Sequence, residues 1–421
     1  MNILILGSGG REHALAWAIG QNPKCDRLIC APGNAGIAEV ANCVALDIMS
    51  ADAVVALAKA EAVDFVVIGP EAPLAAGLAD ALRDAGILTF GPSAAAALLE
   101  SSKSFTKEIC DAASAPTAAW ARFEAAAPAL DYVRAQGAPI VIKADGLAAG
   151  KGVVVAMSLA EAEAAVEEMF SGGFGDAGAS VVIEEFMDGE EASLFVLTDG
   201  TDVLALAGAQ DHKRAYDGDL GPNTGGMGAY SPAPVLDDAM VAQCLNTIIR
   251  PTIAEMAKRG APFRGVLFAG LMIKNGIARL IEYNVRFGDP ECQVLMVRLG
   301  GQILDVLLAC AEGKLGQAQL NWANDHAVTV VMSARGYPGA YRKGEEIGGI
   351  DAANALAGVQ VFHAGTAREG DKIVAHGGRV LNVTARADSL QEARDRAYAA
   401  VALIDWPGGF YRTDICHRAL G

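Results

Sequence analysis

The residues most suited to chemistry lie in the run Arg279 to Phe287, where polar and apolar side chains alternate. A strand repeats every two residues, so Glu282, Asn284 and Arg286 share one face and Ile281, Tyr283, Val285 and Phe287 the other. A carboxylate and an amide carbonyl at i and i+2 suit Mg2+ shared with nucleotide phosphates, because that ion asks for only one or two protein ligands. Arg286 beside them suits a carboxylate or a phosphate. A solvent-facing half of an amphipathic strand would alternate in the same way, but Gly288-Asp289-Pro290-Glu291 continues the polar cluster at once.

Three other segments pair ionic groups with backbone freedom. Ile140-Val141-Ile142-Lys143 closes an apolar strand with a lysine, and Gly146 to Gly152 follows, including Gly150 and Lys151. This reads as a strand-loop-strand flap over phosphates, with a surface hairpin as the alternative. The spacing is not that of a P-loop, since no Ser or Thr follows Lys151. Gly7-Ser8-Gly9-Gly10-Arg11-Glu12 ends a first strand and opens a helix, a geometry that turns backbone N–H groups and a helix dipole onto one phosphate. Arg11 could add a bidentate contact there. A plain tight turn and a dinucleotide loop remain open, although Glu12 stands where the dinucleotide fingerprint has its third glycine. Asp211-His212-Lys213-Arg214 and Gly221 to Gly228 form the third segment, a candidate loop closing over anionic reactants, with a solvated charge run as the alternative. A single histidine beside Lys and Arg suits hydrogen bonding better than base catalysis, and no Ser-His-Asp order or zinc spacing is present.

The elements that must hold these groups read as α/β and α+β. Apolar runs at Asn2 to Leu6, Arg27 to Ala31, Val63 to Gly69 and Gly86 to Gly91 alternate with alanine-rich helical stretches, which predicts a parallel sheet with crossover helices. A β-rich unit with a helix over Leu159 to Phe170 follows. Val266 to Ile273 and Arg279 to Phe287 form a predicted hairpin turning at Asn275-Gly276. Asp211 to Pro234 reads as a long functional loop. Beyond about residue 326 a new set of short strands runs to Asp388, followed by a helix over Leu390 to Ile404.

Taken together, Gly9-Gly10-Arg11-Glu12-His13-Ala14-Leu15, Lys143 to Gly152, Gln210 to Arg214, Gly221 to Pro232 and Arg286-Phe287-Gly288-Asp289-Pro290-Glu291 resemble the phosphoribosylamine-glycine ligases of the ATP-grasp superfamily, along nearly the full chain. The resemblance implies an N-terminal α/β domain at 1–101 for the phosphoribosyl substrate, an ATP-grasp body at 102–325 with a small mobile lid at about 118–187, and a C-terminal domain at 326–421. It implies ATP and Mg2+ or Mn2+ as cofactors. The implied substrates are glycine and 5-phosphoribosylamine, joined through glycyl phosphate in purine synthesis, by a monomer. By the same resemblance Lys103, Lys143, Gly150 and Lys151 face ATP phosphates. Glu184, Glu185 and Met187 belong to the adenine hinge, Glu191 holds the ribose, and Glu282 with Asn284 binds the metal. Gly9, Gly10 and Arg11 help hold the phosphoribosylamine with Lys213, while Asp211 and Arg286 orient glycine. One departure is Glu100-Ser101-Ser102-Lys103, where the family pattern has a glycine before Ser-Lys. No fused later activity is expected beyond Gly421.

Composition agrees with a small-molecule enzyme. The chain has 421 residues, 52% hydrophobic and 20% charged, enough apolar surface for several packed units. Its net charge of -17 disfavours nucleic acid and anionic lipid. Eight cysteines lack any CxxC pairing and read as reduced buried thiols. The opening Met-Asn-Ile-Leu-Ile-Leu-Gly has no basic leader, and no apolar stretch approaches a membrane span, so no membrane association and a cytoplasmic location are expected.

Overall fold

Asn2–Gly7 (β1) is buried along almost its whole length, as a central parallel strand must be. In the computed structural model, which describes residues 1–147, 152–172 and 178–420, it pairs in parallel with Arg27–Pro32 (β2) and Phe65–Ile68 (β4). Asn42–Cys43 (β3) and Leu88–Phe90 (β5) complete a five-stranded sheet of order β3-β2-β1-β4-β5. The chain order reverses next to β1, where ligand crevices of doubly wound sheets open.

Trp120–Phe123 (β6), Ile140–Ala144 (β7), Val153–Ala156 (β8) and Val181–Glu185 (β9) form a separate antiparallel sheet of order β6-β9-β7-β8. Its small core, including Val133, Ile142, Val166 and Ile183, belongs to this unit alone. The body is a nine-stranded sheet. Glu190–Thr198 (β10) and Val203–Asp211 (β11) lead into the short hairpin Arg214–Tyr216 (β12) and Leu220–Asn223 (β13). Gly228–Ser231 (β14), Gly265–Lys274 (β15), Ile277–Asn284 (β16), His326–Ala334 (β17) and Val359–His363 (β18) follow. After the hairpin Thr366–Glu369 (β19) and Lys372–Ala375 (β20) comes Arg379–Ala387 (β21). The order in the large sheet is β16-β15-β10-β11-β14-β17-β21-β18, and the ninth strand, Gly409–Phe410 (β22), pairs with β17 off this path.

Of the strands expected after residue 326, β17, β18 and β21 extend the body's sheet through the pairing of β17 with β14, while β19 and β20 pair only with each other. Two expectations change. Asp211 to Pro234 is not one irregular loop but carries β12, β13 and β14. The strand carrying Glu282 stops at Asn284, short of Phe287, and a bulge sets Gly270 opposite Glu282 and Leu271 opposite Leu280. The extra residue is Ile281, whose carbonyl accepts from Lys143 Nζ at 3.3 Å. The turn Asn275-Gly276 forms with positive φ at both residues, 53° and 75°, as a two-residue hairpin requires.

The five-stranded sheet and the body share core. Leu4, Val66, Leu194 and Tyr283 belong to one buried cluster, and Ile5, Phe90, Phe195 and Phe287 to another. Phe287 stacks between Phe90 and Phe195 at ring distances of 6.5 and 6.4 Å, which fixes the backbone just after Arg286. Among the described residues no single helix is long and apolar enough to cross a membrane. The bent pair Glu291–Leu299 and Gln302–Ala311 is buried core.

Candidate active site

Glu282 and Asn284 leave β16 on one face, as their spacing predicts, and cations converge on them. Burial alone would raise the Glu282 pKa, yet Lys103, Lys213, Lys143 and Arg286 together hold it below the ordinary carboxylate value. The carboxylate is therefore ionised, and with the Asn284 carbonyl it offers two hard oxygen donors of the kind a divalent cation takes. Among the described residues no group of three or more His, Cys, Asp or Glu side chains could hold a metal alone. A cation at this pair would complete its shell with substrate oxygens, so the donor set fits an ion shared with phosphates.

Each cation is positioned from a different element. Lys103 opens the helix Lys103–Ala113, whose N-cap Ser102 accepts the Phe105 N–H. Lys143 lies at 2% exposure on β7, with Nζ 2.9 Å from Glu184 and donating to the Ile281 carbonyl at 3.3 Å. Lys213 follows β11 and pairs with Glu191. Arg286 lies 3.2 Å from Glu71 and 2.9 Å from Glu100, and Glu100 also accepts the Val285 N–H at 2.8 Å. Glu71, Glu100 and Lys107 escaped sequence reasoning. Glu71 and Glu100 lie far from Arg286 along the chain and carry no local pattern; a charged residue inside an apolar helical stretch was the one available signal.

Asp211 ends β11 buried, and burial pushes its pKa up to about 7. Lys213 opposes that rise, while the neighbouring Glu291 and Glu191 add to it. Burial likewise raises Glu291, whose carboxylate accepts from the Ser193 hydroxyl at 3.2 Å. The result is a buried acidic pair facing Lys213. His212 is fully buried and its Nε2 accepts the Cys416 N–H at 3.1 Å, so it is a structural acceptor and not a base.

The glycine loop carries an anion of its own. Glu12 folds its carboxylate back into the loop, accepting the Gly9 N–H at 2.7 Å and pairing with Arg11 at 2.6 Å. A Cβ at Gly69 or Gly7 would strike Glu12 at 2.1 or 2.5 Å, so the neighbouring glycines exist to admit this carboxylate. Arg11 is buried, donates to the Phe287 carbonyl at 3.1 Å, and joins the N-terminal unit to the body. Gly10 packs against the amides of Gln293 and Asn382. The Gly9 N–H is taken by Glu12, while Glu12 and the Phe287 carbonyl engage two of the five Arg11 N–H donors.

Along the run Glu184 to Met187, Glu185 pairs with Arg279 and accepts the Ala119 N–H at 3.0 Å, and Met187 is buried. The Glu184 carboxylate lies between Lys107 and Lys143. Gly150 and Lys151 lie outside the described residues.

Sequence profiles of phosphoribosylglycinamide synthetase match in three consecutive parts: the N domain over residues 1–100, the ATP-grasp (A) domain over 101–292 and the C domain over 327–418. The chain belongs to the phosphoribosylglycinamide synthetase family. Among its relatives, the phosphoribosylamine-glycine ligase of Agrobacterium fabrum is 61% identical over 100% of this chain and 99% of that protein. The chloroplastic ligase of Arabidopsis thaliana is 56% identical, covering 97% of this chain and 79% of that protein. The crystal structure of the Thermotoga maritima ligase superimposes with a TM-score of 0.86 at 31% identity, over 98% of this chain and 100% of that one. A biotin carboxylase from Campylobacter jejuni, solved with an ATP analogue, reaches a TM-score of 0.75 at 18% identity over 99% of this chain and 96% of that one, a likeness of fold alone. As a synthetase of this ATP-grasp family, the chain uses ATP with a divalent metal.

Proposed function

We infer that this chain joins glycine to 5-phosphoribosylamine at the expense of ATP, giving glycinamide ribonucleotide, ADP and phosphate in purine synthesis. The observation that carries the reading is the ionised Glu282 beside Asn284, ringed by Lys103, Lys143, Lys213 and Arg286. Such a ring concentrates positive charge where a phosphoryl group would pass and presents no nucleophile of the protein's own. Positioning and electrostatics then supply the catalysis.

An oxygen of the glycine carboxylate attacks the γ-phosphorus, the bond to the bridging oxygen of ADP breaks, and glycyl phosphate forms. Lys103, Lys143 and Lys213 neutralise charge that spreads over the phosphoryl oxygens. A Mg2+ or Mn2+ ion held by Glu282 and Asn284 would supply further charge neutralisation. Arg286 has five N–H donors, of which Glu71, Glu100 and Phe287 engage three, so it can still orient the glycine carboxylate. Asp211, with Glu291 beside it, suits the glycine ammonium. The phosphoribosylamine nitrogen next attacks the acyl carbon, phosphate leaves with the bonding pair, and the nitrogen loses a proton.

The remaining assignments follow from the same reading. The backbone of Glu184 to Met187 meets adenine, Glu191 the ribose, and the surface of Gly9 and Gly10 the phosphoribosylamine, with Arg11 shaping that wall. Residues 1–101 serve the phosphoribosyl substrate, 102–325 the nucleotide with a lid at about 118–187, and 326–421 close the site. The chain works as a cytoplasmic monomer on small molecules. The test is substrate replacement: purified protein with ATP, Mg2+ and freshly generated phosphoribosylamine should form ADP with glycine. ADP formation with bicarbonate or formate but not with glycine would overturn the assignment.

A further inference from the structure

Between the helix Lys103–Ala113 and β9, two buried ammonium groups close on one buried carboxylate. Lys107 Nζ lies 3.0 Å from one oxygen of Glu184, and Lys143 Nζ lies 2.9 Å from the other. All three side chains are at most 3% exposed. Lys107 also donates to the Thr117 hydroxyl at 2.7 Å, and that hydroxyl donates to the Leu280 carbonyl at 2.7 Å. Lys143 donates to the next carbonyl, that of Ile281. Three hydrogen bonds and two ion pairs therefore form a ring that leaves β16 at Leu280, passes through Thr117, Lys107, Glu184 and Lys143, and returns at Ile281. Those two carbonyls flank the bulge directly before Glu282. The ring joins the body, through Lys107 and β16, to the small sheet that carries Lys143 and Glu184.

One carboxylate facing two ammonium groups has a consequence for motion. To serve a phosphate, Lys143 must loosen its hold on Glu184. With Lys107 present the carboxylate keeps a charged partner and the departure is cheap. Without Lys107 the same movement would strand a buried carboxylate, which costs far more than the loss of an exposed pair. We propose that Lys107 is a positioning residue: it retains Glu184 so that Lys143 is free to engage the nucleotide phosphates, and it ties the small sheet to the strand bearing Glu282 and Asn284. This rests on the reading of the cleft as an ATP site.

The test compares full-length Lys107→Met, Lys107→Arg and Lys107→Met/Glu184→Gln with the wild type in glycine-dependent ADP formation, with kcat and KM measured for ATP and for glycine. Lys107→Met should lower kcat/KM for ATP at least about tenfold, the equivalent of one charge-assisted hydrogen bond, while KM for glycine stays within about twofold. Lys107→Arg should fall between. The double variant, with no stranded charge, should regain most of the loss. Wild-type kinetics in Lys107→Met, or a double variant at least as impaired as the single one, would overturn the proposal. Should Lys107→Met fail to fold, the double variant decides alone: near-wild-type kcat/KM for ATP supports the relay, and a loss of tenfold or more refutes it. A wild type that forms no ADP with glycine refutes instead the functional reading on which the proposal stands.

Discussion

Replacing Glu12 with Gln changes one oxygen to an NH2 group and leaves the shape intact, so it isolates the carboxylate's part in holding the N-terminal unit. In the folded chain one Glu12 oxygen accepts the Gly9 N–H at 2.7 Å and the other meets Arg11 Nε at 2.6 Å. Glu12 is 2% and Arg11 8% exposed, so water can replace neither partner. Glutamine has a single carbonyl oxygen and must leave either the Gly9 N–H or the Arg11 Nε–H facing a donor. An orphaned buried donor costs about 1–3 kcal/mol, and a buried pair that loses one charge costs about 3–5 kcal/mol in all. Because Arg11 keeps the Phe287 carbonyl and the nearby Asp289 and Glu71, the lower end applies, about 3 kcal/mol. Urea unfolding followed by Trp17 fluorescence, with Trp120, Trp322 and Trp406 replaced by Phe in both proteins compared, reads this, since Trp17 sits on the same helix, edge-on to Phe362 at 5.8 Å. The midpoint of the Trp17 transition should move to lower urea. A midpoint equal to the wild type's would show that the carboxylate does not lock the loop.

Two further outcomes follow from buried charge. Asp211 has a folded-state pKa raised by burial, so its contribution to stability is present below the unfolded value and is lost as pH rises through about 7; Asp211→Asn should therefore be more stable than the wild type at pH 8 in thermal unfolding, while glycine-dependent turnover falls, and lower stability at pH 8 would contradict the sign. Arg412 is fully buried and clasps Asp219 at 2.8 Å and Asp414 at 2.7 Å, fastening the β12-β13 hairpin; because both carboxylates keep contact with solvent and Asp219 keeps Arg418, Arg412→Met should cost about 1–3 kcal/mol and expose the hairpin to limited proteolysis, and unchanged digestion would refute the clasp.

How far the sequence reached is clearest on β16. Alternation alone put Glu282 and Asn284 on one face, and the Asn275-Gly276 turn was legible because few residue pairs accept two positive φ angles. The bulge at Ile281 was not legible, since an inserted residue leaves local composition unchanged. Arg286 was found, but Glu71, which positions it, stands 215 residues away, and only tertiary structure brings them together. The same holds for Lys107 and Glu184. At the glycine loop the composition Gly9-Gly10-Arg11 was legible, whereas the fold of the Glu12 carboxylate back onto Gly9 and Arg11 was not, because it depends on the room left by Gly7 and Gly69. The strands after residue 326 were recognised as strands, whereas their pairing with β14 depended on register and not on pattern.

The central claim is that the glycine carboxylate is activated by phosphoryl transfer within the ring of cations around Glu282. Its most direct test uses glycine labelled with 18O in both carboxylate oxygens, with ATP, Mg2+ and phosphoribosylamine, and mass analysis of the phosphate released. Attack by the carboxylate and departure of phosphate from the acyl carbon predict one labelled oxygen in each phosphate formed. Phosphate free of label, with glycinamide ribonucleotide still produced, would contradict the account.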